Sequence, residues 1–132
     1  MACYLSHTTV NCRNAYDLSE WWKQLLDYTD VPGDPNEPGH DHCMIIDPDT
    51  DQRLLFVEVP DSSATDKKGI HFDLRPRSGT RDQEVERLRA LGATEVADRR
   101  GVYGPGSGWV VFADPEGNLF CVVRSEAELE GA

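Results

Sequence analysis

The chain has 132 residues, a formal net charge of −11 and a composition of 39% hydrophobic and 28% charged residues. That balance suits one soluble globular domain and excludes a disordered, fibrous or membrane-spanning chain. The excess of acids repels phosphate backbones, so nucleic acid and anionic membranes are poor partners. The opening "MACYLSHTTVNC" carries neither a basic leader nor an apolar stretch, and a cytoplasmic location is expected. Four cysteines, Cys3, Cys12, Cys43 and Cys121, form no C-x-x-C pair and are expected to be free thiols in a reducing compartment.

Residues 4–12, "YLSHTTVNC", are β-branched and alternate enough to read as a strand. The following "NAYDLSEWWKQLLDY" places Leu18, Trp21, Trp22, Leu25 and Leu26 on one helical stripe, and the breaker-rich "VPGDPNEPG" ends that helix. "HCMIIDPDTDQRLLFVEV" then reads as strand, turn, strand, the turn opening at Asp47-Pro48. Proline fixes φ there, and the aspartate accepts from backbone N–H groups that follow it.

The same order returns. "GIHFDLRPR" (69–77) is a strand with a histidine near its start, and "SGTRDQEVERLRALGA" carries Val85, Leu88 and Leu91 at helical spacing before Gly92 stops it. "WVVFADPEGNLFCVV" is again strand, turn, strand, opening its turn at Asp114-Pro115. A repeat of about 65 residues is too long for a solenoid and points to duplication of a half-domain. Aligning "FVEV" with "LFCV" by position after the turn pairs Glu58 with Cys121. The chain is therefore expected to be one α+β domain over 1–132, built of two βαβββ modules. Module one runs from about 4 to 60, a linker spans 61–68, and module two runs from about 69 to 125. Each module has a helix on one face of a curved sheet, and the two together would line a cleft.

Strand-histidine, "LSEWWKQLL", "IHFDL", "VERLRALGAT" and "WVVFADPEGNLFCVV" together resemble the vicinal oxygen chelate superfamily, in its glyoxalase-like branch with the bleomycin-resistance-type proteins. The resemblance covers about residues 4 to 125. It implies four metal ligands from equivalent strands, at His7, Glu58, His71 and Cys121, where Cys121 replaces the usual glutamate. It also implies a homodimer and a small-molecule ligand.

Two imidazoles and a carboxylate suit a divalent Zn, Ni, Mn, Fe or Co ion, and a thiolate shifts preference toward zinc in a nearly closed tetrahedral shell. An open ion binds neighbouring substrate oxygens and stabilises the anion formed by proton loss. Glu58 is then the remaining candidate for general base, and extradiol dioxygenase chemistry, which needs the carboxylate that Cys121 replaces, is disfavoured. Each of these residues also has a plain structural reading: hydrogen-bonded histidines, a solvated sheet glutamate, a buried inert thiol.

The "RRGVYGPGSGW" segment (99–109) lies between strands, so it is no phosphate-binding loop. It is either a flap, with Tyr103 and Trp109 stacking on a substrate, or a plain surface loop. Arg75, after the His71 strand, either meets an anionic ligand or is a solvated strand end. Three functions follow: a metal-dependent glyoxalase-like lyase or isomerase, a metal-free protein that sequesters a small molecule, and a metal-free acid–base enzyme.

Overall fold

The structure, a computed structural model, describes residues 2, 4–59 and 71–131. The expected linker at 61–68, the first two residues of the 69–77 strand and Cys3 lie outside the described residues. The chain divides into two compact units, Met1–Ala64 and Thr65–Ala132.

In the first unit β1 (Thr8–Cys12) leads into α1 (Ala15–Leu26), then β2 (Thr29–Asp30), β3 (His42–Ile46) and β4 (Arg53–Glu58). The sheet order is β1-β4-β3-β2, with β1 parallel to β4 and the other pairs antiparallel. The helix forms because Asn14 caps it, accepting from Asp17 N, and because Leu18, Trp22 and Leu25 form a buried stripe. Burying each such side chain contributes about 1.5–3 kcal/mol. Trp21 and Leu26, expected on that stripe, are half-buried, and Trp21 meets Trp22 edge-on at 5.2 Å. The helix stops earlier than the breakers predict: Asp27 turns left-handed (φ 60°), and β2 precedes the "VPGDPNEPG" run.

The second unit repeats the plan with β5 (Phe72–Leu74), α2 (Arg81–Ala90), β6 (Thr94–Asp98), β7 (Val110–Ala113) and β8 (Leu119–Val122). Its order is β5-β8-β7-β6, with β5 parallel to β8. Thr80 and Gln83 form a reciprocal capping box on α2, worth about 1 kcal/mol. Gly92, at φ 91°, ends it as expected. Val85, Leu88, Val110, Phe112, Phe120 and Val122 are fully buried. A third helix, α3 (Glu126–Glu130), was not foreseen; Ser125 caps it with Glu128. The fold class is α+β, two four-stranded sheets with three helices among the described residues.

Both Asp-Pro turns work as expected. Asp47 accepts from Asp49 N, and Asp114 from Glu116 N and Asn118 N. They differ in length: Asp47 N donates to Gln52 O, while Asp114 N donates to Asn118 O, one residue sooner. That residue sets which side chains of β4 and β8 correspond. No helix among the described residues is long and apolar enough to cross a membrane.

Candidate metal centre

His71 stands immediately before β5, and Asp73 lies two residues on. A strand repeats every two residues, so both side chains leave the same face. Across the parallel ladder Asp73 is directly opposite Cys121 on β8. His71, Asp73 and Cys121 thus converge, and one ligand atom from each lies within 4.8 Å of the other two. The His71 Nε2–Asp73 Oδ1 distance is 3.3 Å.

The trio is wet at one end and dry at the other. The side chains of His71 and Asp73 are 46% and 60% exposed, whereas Cys121 is 7% exposed. Burial pushes the Cys121 thiol up to about 11, and the Asp73 carboxylate pushes it the same way. The thiol is therefore neutral near pH 7 unless a cation displaces its proton. Nitrogen, oxygen and sulfur donors this close suit a divalent ion. Ligands of a tetrahedral zinc stand roughly 3.3–3.8 Å apart, so small rotations of two exposed side chains suffice. The residues present fit a metal.

The first module differs at the same places. Its register sets Thr8 against Leu54 and Thr9 against Leu55, as Phe72 is set against Phe120 and Asp73 against Cys121. The counterparts of His71, Asp73 and Cys121 are then His7, Thr9 and Leu55, of which His7 alone is a metal donor. His7 is exposed, just ahead of β1, with its Nδ1 3.0 Å from Ser6 Oγ.

The register corrects the sequence alignment that paired Glu58 with Cys121. The longer Asp47 turn makes Leu55 the counterpart of Cys121, and Arg124 the counterpart of Glu58. The offset is three residues, an odd number, so it moves Glu58 to the other face of its strand. Glu58 lies on the side of Phe56, which is fully buried, and its Oε2 accepts from Ala15 N, the first residue of α1, at 3.0 Å. Module two has the same device from another source: Arg81 N, at the first residue of α2, donates to Glu128 Oε1 at 2.6 Å. Each helix thus begins against a glutamate carboxylate, which favours its positive N-terminal end.

Asp73 escaped the sequence reading. The His-x-Asp spacing in "IHFDL" was its one local signal, and its opposition to Cys121 joins residues far apart in the chain.

The 99–109 segment is a tied hairpin. Arg99 N donates to Trp109 O and Gly101 N to Ser107 O, and the buried Arg81 guanidinium donates to the carbonyls of Ser107 and Gly108. Gly108 is required there, since a Cβ at its φ of 91° would lie 1.9 Å from Arg99 O. Tyr103 and Trp109 stack on each other, with ring centroids 5.6 Å apart and planes 20° from parallel, and Tyr103 is 71% exposed. Arg75 is exposed and donates to the carbonyl of Arg124. Cys43, like Cys121, is a free buried thiol; Cys12 points its sulfur at Val57 O, 3.5 Å away.

Among solved structures the chain is similar to a mutant of the fosfomycin resistance protein FosX from Listeria monocytogenes, complexed with Mn(II) and 1S,2S-dihydroxypropylphosphonic acid. The identity is 19%, over 97% of this chain and 94% of that one, with a TM-score of 0.66. It is likewise similar to FosX from Mesorhizobium loti, at 16% identity over all of both chains with a TM-score of 0.65. A protein from Agrobacterium tumefaciens solved by NMR matches at 14% identity, over 92% and 97%, with a TM-score of 0.69. At such identities these likenesses establish the fold alone. No curated protein matches the chain. A family model described as "Glyoxalase-like domain" matches residues 7–123. With nearly the whole chain inside that match, and two βαβββ modules in its structure, this protein belongs to the glyoxalase-like domain family of the vicinal oxygen chelate superfamily.

Proposed function

We propose that this protein is a lyase or isomerase acting on a small oxygen-rich substrate with a divalent metal held in its second module. The observation that carries this reading is the convergence of His71, Asp73 and Cys121, with ligand atoms within 4.8 Å of one another. FosX neighbours solved with Mn(II), one of them with a dihydroxypropylphosphonic acid, support a metal and a small polar ligand. Such an ion, when bound, polarises substrate oxygens and stabilises the negative charge that develops on them.

The chain's own residues supply the rest. His71 and Cys121 anchor the site, one at its open end and one at its buried end. Asp73 takes the proton-transfer work that the sequence assigned to Glu58. A carboxylate has two oxygens; one facing the centre leaves the other to accept a proton from a substrate carbon or hydroxyl alongside. Glu58 keeps its place at the start of α1. Tyr103 and Trp109 offer an apolar, stacked surface for a ligand. A thiol donor needs a reducing compartment, consistent with a cytoplasmic protein. Homodimerisation completes the proposal, and light scattering checks it.

The test compares as-purified with chelator-treated protein on a panel of small hydroxy acids, diols and α-keto compounds. Turnover is expected to vanish with the metal and to return with added divalent ion. Asp73→Asn is expected to lower kcat by about 10²–10⁴-fold. Glu58→Gln is expected to retain kcat and lose about 1 kcal/mol of stability. Turnover that survives chelation overturns the proposal. One observation favours a second reading, metal-free sequestration of a small molecule: of the module-one counterparts His7, Thr9 and Leu55, His7 alone is a metal donor, so the first module has no comparable donor set. Saturable ligand binding by metal-free protein, with no product formed, selects that reading.

A further inference from the structure

We propose that the first module's sheet carries a carboxylate subsite, with Arg53 as the residue that selects a carboxylic acid over its neutral analogues. The inference deepens the proposed function by naming a substrate class, and it rests on that reading only for a small oxygen-rich ligand.

Three observations lead there. First, Arg53 opens β4 and shares one face of it with Leu55 and Val57, because side chains alternate along a strand. The opposite face belongs to the helix: Phe56 is fully buried there, and Glu58 accepts from Ala15 N at the start of α1. Arg53 therefore stands on the face turned away from α1. Second, its guanidinium is unpaired. Arg81, Arg87, Arg89 and Arg100 each meet a carboxylate. Arg53 is half-buried and meets none among the described residues; its Nη1 lies 4.0 Å from the sulfur of Met44, a neutral neighbour. Third, the face around it is free of acids. Thr9 and Met44 flank Leu55 across the two ladders, and Asn11 flanks Val57. The chain has 24 acids against 13 bases, yet among the described residues no register position of this face holds an aspartate or a glutamate.

The face thus combines half-buried apolar ground with exposed neutral hydrogen-bonding groups at Thr9 and Asn11 and a single arginine. Apolar walls with a few placed polar groups are what a small-molecule site requires. The arginine belongs to the first repeat alone, since its register counterpart in module two is Leu119. The guanidinium decides the class. Its planar fork donates two parallel hydrogen bonds to the two oxygens of a carboxylate. One such cation balances one negative charge. A phosphonate dianion would bring a second charge to a face with no second arginine or lysine, in a chain of net charge −11.

The experiment is calorimetric titration of the full-length protein, as purified, with mandelate, with mandelamide and with α-hydroxybenzylphosphonate. The three share a ring and a hydroxyl and differ in charge. Mandelate should bind saturably and at least about tenfold more tightly than mandelamide, the ratio that one charge-assisted hydrogen bond supplies. Arg53→Gln should remove that ratio by weakening mandelate alone, and Arg53→Lys should retain part of it. Thermal unfolding of Arg53→Gln should match the parent, because the guanidinium has no carboxylate to lose. Arg87→Gln, which removes the same charge from α2, should leave all three affinities unchanged. Equal affinity for mandelate and mandelamide, or a ratio that survives Arg53→Gln, overturns this inference and leaves the metal-dependent function standing. Tighter binding of the phosphonate than of mandelate, or no saturable binding of any of the three, overturns it as well. Turnover that survives chelation overturns the metal-dependent function and leaves the charge selection by Arg53 in place.

Discussion

Replacing Cys121 by glutamate restores the family's usual carboxylate, and in this chain it should be costly, because Asp73 already stands directly opposite. Two carboxylates at 4.8 Å, the limit within which the present donor atoms lie, repel by about 3.5 kcal/mol at an effective dielectric near 20 and by about 0.9 in bulk water. The Asp73 side chain is 60% exposed, so water screens the pair and about 1–2 kcal/mol is the expected penalty. The neutral, equally large Cys121→Gln variant is the reference, since it removes the effect of size. The introduced carboxyl would have its folded pKa raised, by Asp73 and by burial. The folded state then holds a proton that the unfolded chain releases near pH 4.3, so the penalty is present above that value and vanishes as the pH falls. Urea unfolding of metal-free protein at pH 7 should show Cys121→Glu less stable than Cys121→Gln by the stated amount. At pH 4 the two should coincide, as they should at pH 7 when each also carries Asp73→Asn. Equal stability at pH 7, or a gap that survives Asp73→Asn, would refute the placement of Asp73 against Cys121.

Two further outcomes test the same structure. Gly108→Ala should destabilise the protein by at least about 2 kcal/mol, since it combines left-handed backbone with a Cβ against Arg99 O, whereas Gly101→Ala, at φ 76° in open space, should cost only about 1 kcal/mol; thermal unfolding separates them. Because the Cys121 thiol titrates near 11 in the folded chain and near 9 when exposed, the parent should lose stability between those values as pH rises, while Cys121→Ser should lose less over the same range.

Local patterning made most of the fold legible. Leu18, Trp22 and Leu25 recur at helical spacing, Val85 and Leu88 do the same, and Gly92 stops the second helix; each acts through neighbours a turn away. The two Asp-Pro turns could be read for the same reason, since each aspartate accepts hydrogen bonds from N–H groups that follow it directly. Even the duplication was visible, because both copies retain the order strand-histidine, helix, strand, turn, strand. Where local signals were weak the boundaries moved: β5 is three residues long rather than nine, and α1 ends on the left-handed Asp27.

The site depended on facts that no local pattern contains. Which residue of β4 answers to Cys121 turns on a single extra residue in the Asp47 turn and on the hydrogen-bond register of a parallel ladder. Side chains alternate faces along a strand, so an alignment displaced by an odd number carries a residue from one surface of the sheet to the other. Setting "FVEV" against "LFCV" displaces the alignment by three residues from the ladder register, so it put Glu58 opposite Cys121, while the tertiary structure turns Glu58 toward the start of α1. Asp73 entered for the complementary reason: it touches Cys121 only because two strands distant in the chain lie side by side. Hydrophobic periodicity was enough to specify the elements, but pairing between strands, which depends on contacts across the whole sheet, decided which donors meet.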